Sequence, residues 1–184
     1  MRPFLLVLAL LVPVAAHAEV KTLETGGFDF ARDTVVRGTP TQVYDMITGD
    51  LLPWWDHTFS KNPKKLYVEP WPGGGFYELF DDKGNGVKHA TVLWADRGKR
   101  LRFEGPLGLS GNAVVFVCTY DLAAQGADST KIHFTASLAG KVEKGWAEGV
   151  DNVWGHFLEE RLRAYAGTPE ARRRKPWPQP KRVL

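Results

Sequence analysis

In the stretch GGGFYELFDDKGNGVKHATVLW, residues 73–94, two apolar runs flank a turn rich in Gly, Asp and Asn, and Glu78 and His89 stand among their aromatic and aliphatic residues. A carboxylate beside an imidazole on an apolar face can do one of three things. It can pin the hairpin through an ion pair or hydrogen bond, anchor the polar end of a ligand, or move a proton as a general acid-base couple. All three require the side chains to meet, which depends on register. A turn centred on Lys83-Gly84 pairs Phe80 with Val87, Phe76 with Thr91 and Glu78 with His89. A two-residue turn at Asn85-Gly86 would set Glu78 against Leu93, and an odd-length loop would send the two residues to opposite faces. The first register is the expectation.

The remaining histidines carry weaker signals. His57 follows Trp54-Trp55-Asp56 and reads as lying near a pocket mouth, His133 alternates away from Ile132 and Phe134 toward solvent, and His156 stands two positions after Trp154. None of the five belongs to an HxH or HExxH spacing or has a paired cysteine, so no metal and no cofactor are expected. Trp54 and Trp55, beside the break at Pro53, are candidates to line a pocket, as are Phe76, Phe80, Trp146 and Val150, with Glu78 and His89 as its polar members. Trp154 reads as core. The segment GPLGL, residues 105–109, is an apolar loop that serves either as a lid or as a wide turn. Cys118, the only cysteine, sits in AVVFVCTY; no intramolecular disulfide can form, and a small buried thiol is expected there.

The elements that must position these residues follow from periodicity. FDFARDTVVRG alternates and ends in β-branched residues, a first strand. In TPTQVYDMI, Thr39 is an N-cap, Pro40 suits the first helical position, Gln42 completes a capping box, and Val43, Met46 and Ile47 make an apolar stripe. DLLPWWDH gives a second short helix or turn. Six strand-like runs between Lys64 and Leu138, separated by Gly, Asp and Asn, predict an antiparallel meander. From Val142 to Tyr165, apolar residues recur every three or four positions, an amphipathic helix that stops near Gly167. The expected fold is α+β: a curved seven-stranded antiparallel sheet wrapped around a long C-terminal helix, with two short helices after strand 1. A strongly curved sheet over one helix leaves a pocket at one end.

At the N-terminus, MRPFLLVLALLVPVAAHA has the basic start, apolar run and Ala-His-Ala ending of a secretory signal peptide, cleaved after Ala18. A periplasmic or secreted protein follows, with its domain over residues 19–167 and a basic, Pro/Arg-rich disordered tail over 168–184. The net charge of +3 is misleading, because six of the 24 Lys and Arg residues lie in the last thirteen positions. The body is mildly acidic, so the basic pI does not argue for a nucleic-acid-binding domain, and no nucleic-acid partner is expected. The tail is a candidate for contact with anionic lipid or an envelope partner. The sequence says nothing of oligomeric state.

Thr39-Pro40-x-x-Val43-Tyr44, Trp54-Trp55, Gly73-Gly74-Gly75-Phe76, Glu78, His89, Leu101-Arg102-Phe103, Gly105-Pro106-Leu107-Gly108 and Val150-Asp151 occur in an order that resembles the START-like or SRPBCC superfamily. This is the helix-grip fold of lipid-transfer domains, birch-pollen-type allergens and polyketide cyclases. The nearest branch is that of activators of a heat-shock-chaperone ATPase and their small bacterial relatives. The resemblance implies an internal cavity for a small hydrophobic molecule, lipid-, polyketide- or aromatic-like. It does not imply the activator role, since an exported protein does not meet a cytosolic chaperone and no Walker-type loop is present. Two other functions stay open: a cyclase- or hydrolase-like enzyme using Glu78 and His89 as its acid-base pair, and a cell-envelope interaction protein using the basic tail.

Overall fold

In the computed structural model, residues 20–179 are described; the expected leader and its cleavage point after Ala18 lie outside them, as do residues 180–184. The chain runs β1 (Gly26–Arg37), α1 (Pro40–Met46), β2 (Gly49–Asp50), β3 (Lys65–Val68), β4 (Gly75–Leu79), β5 (Gly86–Asp96), β6 (Arg100–Gly105), a 3₁₀ turn (Leu107–Leu109), β7 (Val114–Ala124) and β8 (Ser129–Gly140). A terminal helix follows in three parts, α2 (Trp146–Gly155), a π-helical segment (His156–Leu162) and α3 (Arg163–Ala166), and then the short α4 (Pro169–Arg172). All strand pairings are antiparallel and give one sheet in the order β1-β8-β7-β6-β5-β4-β3-β2. Among the described residues no helix is long and apolar enough to cross a membrane.

The α+β helix-grip architecture matches the expectation, with three corrections. The sheet has eight strands rather than seven, because Gly49–Asp50 pairs with Val68 and Tyr67. Two residues are too few to show a period of two. One short helix follows β1, not two: around Pro53 the chain makes a single turn, with Trp54 and Trp55 both donating to the Leu51 carbonyl, and goes no further. The terminal helix begins at Trp146 rather than near Val142, since Gly145 takes a left-handed φ of 86° that ends the preceding turn. The capping box at α1 is formed: Thr39 N–H donates to Gln42 Oε1 at 2.8 Å and Gln42 N–H to Thr39 Oγ1 at 3.4 Å.

The inward residues of the curved sheet, among them Phe76, Val92, Leu101, Phe103, Phe116, Tyr120, Ile132 and Phe134, bury against Trp154, Phe157, Leu158 and Leu162 of the helix. Each such side chain contributes about 1.5–3 kcal/mol on leaving water. Cys118 is wholly buried there, and burial pushes its thiol pKa well above the ordinary value, so it packs and does not react.

Residues 168–179 do not form the disordered tail expected of their composition. Thr168 Oγ1 accepts from Ala171 N–H at 3.2 Å to cap α4, and Ala171 is buried. Arg174 donates to Tyr165 Oη at 3.1 Å, to the Thr48 carbonyl at 2.8 Å and to the Asp50 carbonyl. Trp177 stacks on Tyr67, with centroids 5.3 Å apart and planes at 17°, and closes over Gly49, where a Cβ would meet it at 2.8 Å. One aromatic side chain and one guanidinium therefore outweigh the charge and proline content. Replacing Trp177 with Ala is expected to lower stability by about 1–2 kcal/mol. Thermal unfolding of the variant checks it, as a midpoint lowered by roughly 2–8 °C.

Candidate functional site

The β4–β5 hairpin is two residues out of the expected register. Asp81 Oδ1 accepts from Lys83 N–H at 2.8 Å and Asn85 N–H at 3.2 Å, while Asn85 Nδ2 donates to Asp81 Oδ2 at 2.7 Å. This side-chain cap draws the loop back so that Phe80 N–H reaches the Asn85 carbonyl at 2.8 Å, Leu79 pairs with Gly86 and Glu78 with Val87. His89 is thus the diagonal neighbour of Glu78, not its direct partner. Pairing then shifts, so that Tyr77 faces Lys88 while Phe76 faces Ala90. His89 is the extra residue of that bulge, and it and Ala90 are both buried.

The two side chains still meet. His89 Nε2 lies 3.1 Å from Glu78 Oε2. Glu78 has no exposed surface, and it also accepts from Phe59 N–H at 2.9 Å through Oε2 and from Ser60 N–H at 2.7 Å through Oε1. With the carboxylate accepting, Nε2 is the donor. The nearest partner of Nδ1 is the Leu107 carbonyl at 3.5 Å, itself an acceptor.

His89 belongs to the wall of a cavity of about 560 Å³ between the sheet and α2, within the range of small-molecule sites, about 300–1,000 Å³. Trp55 stacks on Phe157 at a centroid distance of 3.9 Å and meets Phe76 and Trp154 edge-on at 5.3 and 5.9 Å. Phe59 lies parallel to His89 at 5.5 Å. The 3₁₀ turn Leu107–Leu109 forms one rim, and Leu107 adopts φ 49°, a left-handed conformation uncommon for a non-glycine residue.

Of the residues expected at a ligand site, Trp55, Phe76, His89 and Val150 line this cavity. Trp54 does not: adjacent residues of one turn point apart, and its indole is buried with Nε1 donating to the Met46 carbonyl at 2.9 Å. Glu78 sits behind His89 rather than in the wall. Phe80, past the end of β4, is 40% exposed, and Trp146, the first residue of α2, lies outside the lining. Sequence reasoning passed over Phe59, Phe116, Gly149, Val153 and Phe157, which also line the cavity, and kept Trp154, also in the wall, for the core alone. Val153 and Phe157 were visible as members of the helical stripe, but a stripe cannot tell core from cavity.

At the mouth of the cavity Asp56, His57 and His156 converge. Asp56 Oδ1 is 2.9 Å from His57 Nδ1 and 3.1 Å from His156 Nε2, and Arg161 Nε lies 3.1 Å from Oδ2. Partial burial raises the Asp56 pKa, but the hydrogen bonds to His57 and His156 and the Arg161 charge outweigh it and hold the group below its ordinary value.

No protein-family model matches the chain, and no curated protein matches it in sequence. Solved structures do match. The Mll3558 protein from Rhizobium loti superposes with a TM-score of 0.59 at 18% identity, covering 77% of this chain and 99% of its own. Ara h 8.0201 gives 0.54 at 12%, covering 77% and 98%. Truncated norcoclaurine synthase from Thalictrum flavum gives 0.50 at 13%, covering 80% and 95%. At such identities the likeness establishes the fold alone, a helix-grip fold of the Bet v 1-like kind.

Proposed function

We propose that the protein binds a small, largely apolar molecule in this cavity, with the His89 imidazole as the polar contact in its wall. The observation behind this reading is the cavity itself: an aromatic box with one buried imidazole in its wall. Glu78 serves the site indirectly. Its oxygens are taken up by the Phe59 and Ser60 amides and by His89, so it sets the tilt of the imidazole and holds the loop at Phe59 and Ser60. That saturation speaks against Glu78 as a general acid or base toward a substrate. The chemistry of the ligand fits the START-like superfamily that the sequence motifs resemble, and the N-terminal sequence fits a periplasmic or secreted site of action.

Gly149 provides the test. It lines the cavity from α2, and a Cβ placed there meets nothing within 4 Å. Gly149→Leu is expected to fold normally, with a gain of about 0.5–1 kcal/mol from helix propensity, while its side chain intrudes on the cavity. Mass spectrometry on organic extracts of the mature protein from its own compartment should recover a hydrophobic compound from the wild type and none from the variant. An equal yield from both, or none from the wild type, would rule the reading out.

A further inference from the structure

We propose that Asp56, His57 and His156 form a binding site for a divalent first-row metal ion at the cavity mouth. The residues come from two separate elements: the turn after Pro53 supplies Asp56 and His57, and the π-helical segment supplies His156, 100 positions from Asp56. One ligand atom from each lies within 4.8 Å of the others. In a tetrahedral site with bonds of about 2.0–2.1 Å, neighbouring ligand atoms stand roughly 3.3 Å apart. The 2.9 and 3.1 Å separations from Asp56 Oδ1 to the two imidazoles therefore need to open by only a few tenths of an ångström.

The surroundings have the features of an outer shell. His156 Nδ1 faces Glu160 Oε2 at 2.9 Å, a carboxylate-histidine arrangement that turns Nε2 toward Asp56. His156 Nε2 faces both Asp56 oxygens, Oδ1 at 3.1 Å and Oδ2 at 2.9 Å, and Arg161 Nε, which donates to the Trp54 carbonyl, lies 3.1 Å from Oδ2. Trp55 Nε1 donates to the His57 carbonyl at 2.7 Å, and the His57 ring packs edge-on against Phe157 at 5.0 Å. With both imidazoles neutral, Asp56, Glu160 and Arg161 leave one negative charge for a dication to balance. The π-helical segment starts at His156 itself. Such segments are rare, have poorer hydrogen-bond geometry than α-helix and occur frequently at functional sites.

Two imidazoles and one carboxylate leave a coordination position open. Asp56 and His57 are also wall residues of the apolar cavity, so a molecule bound there can reach the ion with a terminal oxygen. The site stands independently of the cavity reading: the ion can bind whether or not the cavity is filled.

The experiment is calorimetric titration of the chelator-stripped mature protein with Zn²⁺, paired with Co²⁺ titration followed by visible absorption. The expected result is one equivalent of Zn²⁺ per chain and intense Co²⁺ bands of low-coordinate geometry. His57→Ala and His156→Ala should each weaken binding by at least about 100-fold, and Glu160→Gln by roughly 10-fold or more. The His57 and Glu160 side chains are 53% and 70% exposed, so the folding of those two variants is expected to be unchanged. A wild type that takes up no Zn²⁺ in large excess, or uptake that survives His57→Ala and His156→Ala, would overturn the proposal. Either outcome leaves the apolar cavity to be judged by the Gly149→Leu experiment.

Discussion

Glu78→Gln should lower the unfolding free energy by about 3 kcal/mol, the upper end of the cost of leaving a buried polar group without its partner. The side chain is wholly buried and accepts from three donors, the Phe59 and Ser60 amides and His89 Nε2. A carboxamide offers one oxygen where two were needed and points an NH₂ at a remaining donor, leaving a buried polar group unpaired. The thermal midpoint should fall by roughly 6–12 °C. The Phe59 and Ser60 amides should lose hydrogen-exchange protection in the same variant, because their acceptor is gone. A midpoint within about 2 °C of wild type, with protection intact, would show that Glu78 does not hold the loop.

Trp154→Ala is the second large effect. The indole stacks on Phe134 at 4.2 Å and meets Phe116, Tyr120, Trp55 and Phe157 edge-on, so it joins the sheet to the helix while also facing the cavity. A loss of about 3–5 kcal/mol is expected, because neighbours held on five sides cannot collapse into the space left behind. Trp55→Ala should cost less, since Trp55 is only partly buried and opens onto the cavity. Equilibrium denaturation of the two variants checks the order; a Trp55 variant as unstable as the Trp154 variant would mean that the cavity wall and core are one packing unit.

Much of the fold could be read from the sequence because its signals are local. Thr39, Pro40 and Gln42 announce α1, and alternation announces the long strands. The site was only half legible. The meeting of Glu78 with His89 survived a wrong register, since the step from direct to diagonal partner keeps both on one face, but the Asp81 cap and the bulge at His89 depend on contacts that no periodicity encodes. The choice between Trp54 and Trp55 turned on one bend in a single turn. The Asp56, His57 and His156 cluster was invisible to motif spacing, since its parts lie 100 positions apart and are joined only when the helix crosses the turn.

The docked C-terminal segment bears on solubility as well as stability. β2 ends the sheet, and the unpaired backbone of an edge strand is a template for adding a strand from another molecule. Here that edge is only two residues long, Arg174 occupies the Thr48 and Asp50 carbonyls, and Trp177 covers Gly49. The protein thus shields with its own C-terminal segment the β2 edge, one of the two edges of the sheet, and proteolytic loss of the chain after Arg173 would uncover it.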